Sequence, residues 1–261
     1  MWDRTIVKDN AKQALSGGRY WTAYAVCVVA SLITGLFSIV DGFFETRPVV
    51  SFPWIDPSYE NTVYAEQEAA RWQLFWFPDL LLMIFIALPL SVGIARFFVR
   101  NRFGETRLPT MFSCFHNNYG STLGGMFTTV LITILWTFLF VVPGIVKGLE
   151  YSMVPFILSD NPSLPGERAR EISRAMTDGE KGSIFVFVLS FLGWLILAGI
   201  AAAMISWFFW PVNVLASIVT VSFVTAYMQA SFAELYVFMR DRAIRSGAVQ
   251  AAELGLVSGL N

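Results

Sequence analysis

Residues 121–159 read STLGGMFTTVLITILWTFLFVVPGIVKGLEYSMVPFILS, and the two long apolar runs in this stretch decide the fold class. Lys147 and Glu150 are its only charged residues, and Pro143-Gly144 separates the runs. A membrane-spanning helix needs about 20 mostly apolar residues, because each residue adds about 1.5 Å against a hydrocarbon core of about 30 Å. Proline cannot continue a helix and glycine tolerates unusual backbone angles. Pro143 and Gly144 therefore predict a structural turn between two membrane helices.

The whole chain has the composition of an integral membrane protein. Its 261 residues are 56% hydrophobic and 14% charged, whereas ordinary globular domains carry about 25% charged residues. A net charge of −1 provides no electrostatic footprint for a nucleic acid. The positions of the two cysteines, Cys27 and Cys114, predict no disulfide. These features exclude a nucleic-acid binder, a disordered chain and a disulfide-rich secreted domain.

Six apolar segments approach the length of a membrane span, and their runs are continuous, as in helices, rather than alternating, as in a membrane barrel. The predicted spans cover about residues 21–40, 74–99, 121–142, 144–159, 183–209 and 212–239. The fold class predicted is an all-α, polytopic membrane protein with six transmembrane helices arranged as three hairpins. A single membrane domain would cover residues 1–245, with an acidic loop at 41–72 and a tail at 246–261.

The distribution of Lys and Arg predicts the orientation, because these residues accumulate on the cytoplasmic side. Fifteen of the 18, counting Arg96 near the end of the second span, lie before the first span, in or beside the second and fourth connections, or after the last span. The 41–72 loop holds only Arg47 and Arg71, and the remaining one, Lys147, lies inside the fourth span. We therefore expect both termini in the cytoplasm and the 41–72 loop outside.

Three segments on the predicted cytoplasmic side share one pattern, a short amphipathic helix followed by a Gly- or Asn-containing break and then a span. The helices are predicted at about 4–15, 108–115 and 165–176. We interpret them as amphipathic helices in the membrane plane that each precede one hairpin. Alternatively, they are the basic flanks that precede spans in many unrelated membrane proteins. The charged face of the third helix is either solvated or contacts anionic lipid or a partner.

Charged residues inside spans are the candidate functional residues, because burying them in lipid is costly. Lys147 and Glu150 are three residues apart on the fourth span and face the same way. They form either a buried ion pair that stabilises the bundle or part of a polar pathway for an ion, a proton or a solute. Asp79, Tyr151 and Glu234 are the other candidates for this pathway or pair.

No catalytic or metal site can be assembled from the sequence. The single histidine, His116, lies in a polar break, where ending a helix is the expected role. Zinc sites need several His or Cys ligands, and covalent catalysis needs a nucleophile beside a base. We therefore predict no cofactor, no metal and no enzymatic activity.

One motif carries a family resemblance. Its residues are Pro143-Gly144-Ile145, Lys147, Tyr151-Ser152-Met153, Pro155, Ile157-Leu158 and Asp160-Asn161-Pro162. This pattern, P-G-I-x-K-x3-Y-S-M-x-P-x-I-L-x-D-N-P, resembles the signature of a family of bacterial membrane proteins that is described only as a domain of unknown function. The resemblance covers about residues 4–236. It implies a multi-span protein of the bacterial inner membrane and no established activity.

Two functions fit these features. The first is non-enzymatic handling of a small solute, lipid or peptide, either by transport or in support of transport. Prolines inside the spans favour this function, because broken helices often form the binding sites of transporters. The alternative is a structural or assembly module that acts on lipid or on a partner membrane protein. The predicted partners are the lipid bilayer, anionic lipid at the in-plane helices, and a second copy or a membrane partner protein, without nucleic acid.

Overall fold

A computed structural model describes residues 2–36, 77–116, 118–208 and 213–256, and these residues form helices without any strand. The helices are α1 (Arg4–Ala14), α2 (Arg19–Thr34), α3 (Phe77–Arg102), α4 (Ser113–His116), α5 (Tyr119–Leu139), α6 (Val141–Glu150), α7 (Val154–Asp160), α8 (Gly166–Thr177), α9 (Lys181–Phe208) and α10 (Asn213–Arg245). Short 3-10 helices lie at Leu108–Phe112 and Ala251–Leu254. The predicted all-α class is confirmed over this part of the chain.

Five helical stretches within the described ranges are long and apolar enough to cross a membrane. They are Phe77–Arg102, Tyr119–Leu139, Val141–Asp160, Lys181–Trp207 and Val214–Arg245. They coincide with the second to sixth predicted spans. The first predicted span, 21–40, begins in α2, but residues 37–40 and the 41–72 loop lie outside the described residues.

The turn between the third and fourth predicted spans begins at Phe140, before the Pro143-Gly144 pair that the sequence favoured. Phe140 is extended, with φ −152° and ψ 128°, and α6 begins at the next residue. Pro143 therefore lies in the first turn of α6, where its missing N–H costs no helical hydrogen bond. Gly144 allows the two legs to approach closely, because a Cβ there would lie 2.2 Å from Thr137 Oγ1.

Replacing Gly144 with alanine is expected to destabilise the protein by about 1–3 kcal/mol, because the added methyl group overlaps Thr137. Gly148→Ala on the same helix is the matched control, since a Cβ there meets only Thr133 Cγ2, at 3.9 Å. The control should gain about 0.5–1 kcal/mol from better helix propensity. Thermal unfolding in detergent, followed by circular dichroism, measures both changes. Equal midpoints for the two variants would show that the close approach at Gly144 is unimportant.

The segment around Pro89 shows how a backbone carbonyl that proline leaves without a donor finds another hydrogen-bond partner. Proline lacks an N–H, so the carbonyl of Phe85, four residues earlier, has no α-helical donor. The Tyr119 hydroxyl donates a hydrogen bond to this carbonyl over 2.8 Å. A π-helical turn at Met83–Ala87 precedes the proline. A neighbouring segment thus satisfies the freed backbone group, as membrane helices require.

The buried core lies where α3, α7, α8 and α10 meet. Its largest fully buried side chains include Phe97, Phe98, Ile157, Leu158, Ile172, Met176 and Tyr236. In contrast, the second half of α5, most of α6 and one face of α9 expose large apolar side chains. We call the part formed by α1, α4, α7, α8 and the last turns of α3 and α10 the basic end, because most of the Lys and Arg residues lie there.

The three segments predicted as in-plane helices are helical, and a left-handed residue follows each of them. These residues are Gly18 (φ 88°), Asn118 (φ 55°) and Gly179 (φ 73°). The apolar face of α8 packs on protein, against α5, α7 and α10, rather than on lipid. The orientation of these helices in the membrane plane and the threefold repeat stay predictions.

Candidate functional site

The Glu150 carboxylate accepts contacts from three basic side chains. Lys147 Nζ lies 2.6 Å from Oε2, and Lys181 Nζ lies 2.5 Å from Oε1. Arg174 Nε lies 3.6 Å from Oε2. We call Lys147, Glu150, Tyr151, Arg174 and Lys181 the Glu150 cluster. Within it one carboxylate faces three cations, so the cluster has a formal excess of two positive charges.

Three elements bring these side chains together. Glu150 is the last residue of α6, and the chain then makes a turn at 151–153 before α7 begins. The helix end leaves the Glu150 carbonyl without a helical partner, and Ser173 Oγ of α8 donates to it over 2.5 Å. Lys181 is the first residue of α9. The cluster therefore joins the end of α6 to the start of α9.

Close contact between glycines positions α8. A Cβ on Gly166 would lie 2.4 Å from the Cα of Gly125 in α5, so a side chain at Gly166 would force the helices apart. One turn further along, Arg170 Nη1 donates to Thr128 Oγ1 over 2.8 Å. These contacts hold Ser173 and Arg174 against Glu150.

The cluster is buried at its centre and open at its edge. The Glu150 side chain is 7% exposed, whereas that of Arg174 is 56% exposed. Arg174 Nη2 also lies 3.4 Å from the Tyr151 hydroxyl. This hydrogen bond, together with the carboxylates of Glu150 and Glu171, raises the pKa of Arg174. A permanently charged guanidinium therefore lies where a ligand from outside could reach it.

The composition of α8, which contributes Arg174 to the cluster, is strongly polar. Five of its 12 residues are charged: Glu167, Arg168, Arg170, Glu171 and Arg174. Such a helix cannot lie in hydrocarbon, where each charge costs several kcal/mol. Because Ser173 and Arg174 of α8 contact Glu150 directly, the cluster lies beside a helix that hydrocarbon does not favour.

A second buried network lies at the end of α7. Asp160 Oδ2 accepts from the Tyr236 hydroxyl over 2.7 Å and from Arg240 Nη1 over 3.1 Å. Arg96 Nε donates to the neighbouring Ser159 carbonyl over 2.8 Å. Asn161 Nδ2 donates over 2.8 Å to the carbonyl of Glu253, in the 3-10 helix near the end of the chain. The Asp-Asn pair of the sequence motif therefore has a structural role, since it joins α7 to α10 and to the C-terminal segment.

The structure brings together three of the predicted polar residues: Lys147, Glu150 and Tyr151. Glu234 is separate, because its carboxylate lies 3.3 Å from Arg102 Nε. Asp79 lies near the start of α3, whereas Arg102 ends that helix. At about 1.5 Å per residue, some 35 Å of helix separates these two residues.

Sequence reasoning missed the roles of Arg174 and Lys181. It counted both as markers of the cytoplasmic side, and it left the charged face that includes Arg174 either solvated or in contact with anionic lipid or a partner. Lys181 and Glu150 are 31 residues apart and lie on different helices. Only the polar Ser173-Arg174 pair next to a membrane boundary offered a signal.

The two cysteines and the histidine do not form a common site in the part of the chain that the structure describes. Cys27 and Cys114 are free and buried. His116 is exposed at the end of α4, with Nδ1 3.5 Å from the Phe112 carbonyl oxygen. Among the residues described, no group of three or more His, Cys, Asp or Glu side chains could hold a metal ion.

The chain belongs to the family described as "Protein of unknown function (DUF975)", whose family model matches residues 1–243. The predicted membership of a family of unknown function that spans nearly the whole chain is thereby confirmed. The individual residues of the sequence signature stay a prediction. No curated protein and no solved structure matches the chain.

Proposed function

We propose that this DUF975 member is a non-enzymatic, multi-pass protein of the bacterial inner membrane that handles a small solute, lipid or peptide, as a transporter or in support of one. In this proposal its membrane segments form three hairpins that start from the cytoplasm, with both termini there. The observation that carries the proposal is the Glu150 cluster, in which three cations surround one buried carboxylate.

The chemistry of this cluster favours an anionic ligand. Two positive charges remain after Glu150 has been neutralised, and the exposed Arg174 is the natural point of first contact. Guanidinium and ammonium groups bind phosphate and carboxylate oxygens through charge-assisted hydrogen bonds. A lipid phosphate, a soluble phosphate and the carboxylate of a peptide share this chemistry.

We expect Arg174→Gln to weaken the binding of such an anion about tenfold, which corresponds to about 1.4 kcal/mol. Thermal unfolding of the full-length protein in phosphatidylcholine nanodiscs measures this change as a smaller stabilisation by the anion. The probes are inorganic phosphate, a short acidic peptide, and replacement of part of the lipid by phosphatidylglycerol with the same acyl chains. The probe that stabilises the protein distinguishes the three sources of the anion.

Arg100→Gln is the matched control for this experiment. Arg100 has a similar exposure of 52% and pairs with Glu105 at 3.6 Å, away from the Glu150 cluster. The proposal predicts that this variant binds the probe as the unmodified protein does. Equal weakening in both variants, or no stabilisation of the unmodified protein by any probe, would contradict an anion site at the cluster.

The second candidate function is a structural or assembly module that acts on lipid or on a partner membrane protein. The broad apolar surface of α5, α6 and α9 supports it. Native mass spectrometry of the protein in nanodiscs distinguishes the two functions. A stable complex with a second copy or another membrane protein, without any bound anion, would favour the module.

A further inference from the structure

The middle hairpin consists of α5 and α6, and the polar helix α8 contacts both of these legs. On the first leg, α8 contacts α5 through Gly125 and Thr128. On the second leg, α8 contacts α6 at Glu150. Since α8 is too highly charged to lie in hydrocarbon, both contacts mark where the hairpin leaves the polar layer.

The legs beyond these contacts are short. The free part of α5 runs from Val130 to Leu139, and α6 has 10 residues, from Val141 to Glu150. At about 1.5 Å per residue each leg extends about 15 Å, which is half of a hydrocarbon core of about 30 Å. Apolar stretches of about 10–14 residues are typical of re-entrant or interfacial segments.

The tip of this hairpin is both apolar and unpacked. Phe138 is 92% exposed, and Leu139, Phe140, Val141 and Val142 are also exposed. No other described helix covers this tip, so it requires an apolar environment outside the protein. The acyl chains of the membrane are the environment that a chain with this composition provides.

The third hairpin gives a contrast within the same molecule. The helix α9 begins at Lys181, in the same cluster as Glu150, and continues for 28 residues. Its length of about 42 Å is enough to cross the bilayer, whereas α6 starts from the same boundary and ends after about 15 Å.

We infer that the α5–α6 hairpin enters one leaflet from the basic end and turns back at Phe140 near the bilayer midplane, instead of crossing the membrane twice. The partner of its apolar tip is the acyl-chain region of that single leaflet. The length and composition of Tyr119–Leu139 and Val141–Asp160 suit full spans only because both stretches include residues that lie beside α8.

This topology agrees with the distribution of Lys and Arg. A hairpin that enters and returns leaves both of its ends on the same side, as two full spans also would. The counting of basic residues therefore gives the same orientation for both arrangements. The position of the charged α8 distinguishes them.

The test uses cysteine accessibility in the full-length protein in a bacterial membrane. The variant Phe138→Cys is labelled with a membrane-impermeant maleimide, in spheroplasts and in inside-out vesicles. Both native cysteines are buried, so the unmodified chain gives the background. We expect no labelling of Phe138→Cys above background from either side. A nitroxide on the same cysteine should show high collision rates with oxygen and low rates with a nickel chelate, as expected for the bilayer centre.

Trp207→Cys is the matched control, because Trp207 is 86% exposed and lies at the far end of α9. It should be labelled from the side opposite the basic end, while Lys12→Cys on α1 should be labelled from the basic side. Labelling of Phe138→Cys from the same side as Trp207→Cys would show two full spans and overturn the inference. Labelling from the basic side would also overturn it, because the tip would then lie outside the hydrocarbon.

Discussion

Replacing Asp160 with alanine is expected to lower the free energy of unfolding by about 3–5 kcal/mol, because it leaves a buried arginine without its buried partner. Arg240 is 10% exposed and lies 3.1 Å from Asp160 Oδ2, and the Tyr236 hydroxyl donates to the same oxygen. Alanine removes the one acceptor that the two hydrogen bonds share. Unfolding in detergent by a graded denaturant, followed by circular dichroism, measures the loss.

Asp241→Ala is the matched control, because Asp241 contacts the same arginine at 3.2 Å but is 50% exposed. Exposed ion pairs contribute about 0–1 kcal/mol, so this variant should unfold almost as the unmodified protein does. A double variant, Asp160→Leu with Arg240→Met, removes both charges and should recover much of the stability. Equal effects of Asp160→Ala and Asp241→Ala would show that the Asp160 network contributes little.

The membrane helices could be predicted from sequence because a single property determines them. In a bilayer every backbone group must be satisfied inside the helix, so a long apolar run has few alternatives. The runs after Tyr119 and Lys181 therefore begin helices close to where the sequence placed them. For the same reason a proline inside a span, such as Pro89, must have its freed carbonyl satisfied by a neighbour, and here Tyr119 supplies the donor. That partner depends on how α3 and α5 pack, which no local pattern encodes.

The turn at Phe140 illustrates a different limit of sequence reasoning. Pro143 and Gly144 are strong signals for the end of a helix, but proline is equally suited to the first turn of the next one. Gly144 is required by the approach of Thr137 rather than by its own backbone conformation. Both residues thus belong to the hairpin. The sequence placed the break at Pro143-Gly144 and the structure places it at Phe140, because each of the two residues is also suited to a position inside the next helix.

Of the contacts in the Glu150 cluster, the sequence indicates only the one between residues of the same helix. Lys147 and Glu150 lie 2.6 Å apart, and the sequence indicates this contact because residues three apart in a helix face the same way. Arg174 and Lys181 reach Glu150 only because the contact between Gly125 and Gly166 fixes α8 beside α5. Long-range contacts of this kind decide whether a charged pair is a simple bridge or part of a larger basic cluster.

Glu150→Gln is expected to lower the free energy of unfolding by about 3 kcal/mol, the lower end of the range for breaking a buried ion pair. The amide keeps the shape of the carboxylate but leaves Lys147, Arg174 and Lys181 to repel one another without a counter-charge. The partial exposure of Lys181 and Arg174 allows water to screen part of this repulsion. Glu105→Gln is the matched control, because Glu105 is exposed and pairs with Arg100 at 3.6 Å.

The same variant also distinguishes a structural ion pair from a polar pathway. Adding Lys181→Gln to Glu150→Gln removes one of the repelling charges, so it should recover part of the lost stability whichever role applies. If Glu150 serves a pathway for a proton or an ion, the stabilised double variant should still lack coupled transport when reconstituted in liposomes. If Glu150 is only a structural counter-charge, transport should return together with stability. Full stability and full coupling in Glu150→Gln alone would contradict both roles, because the buried carboxylate would then be dispensable.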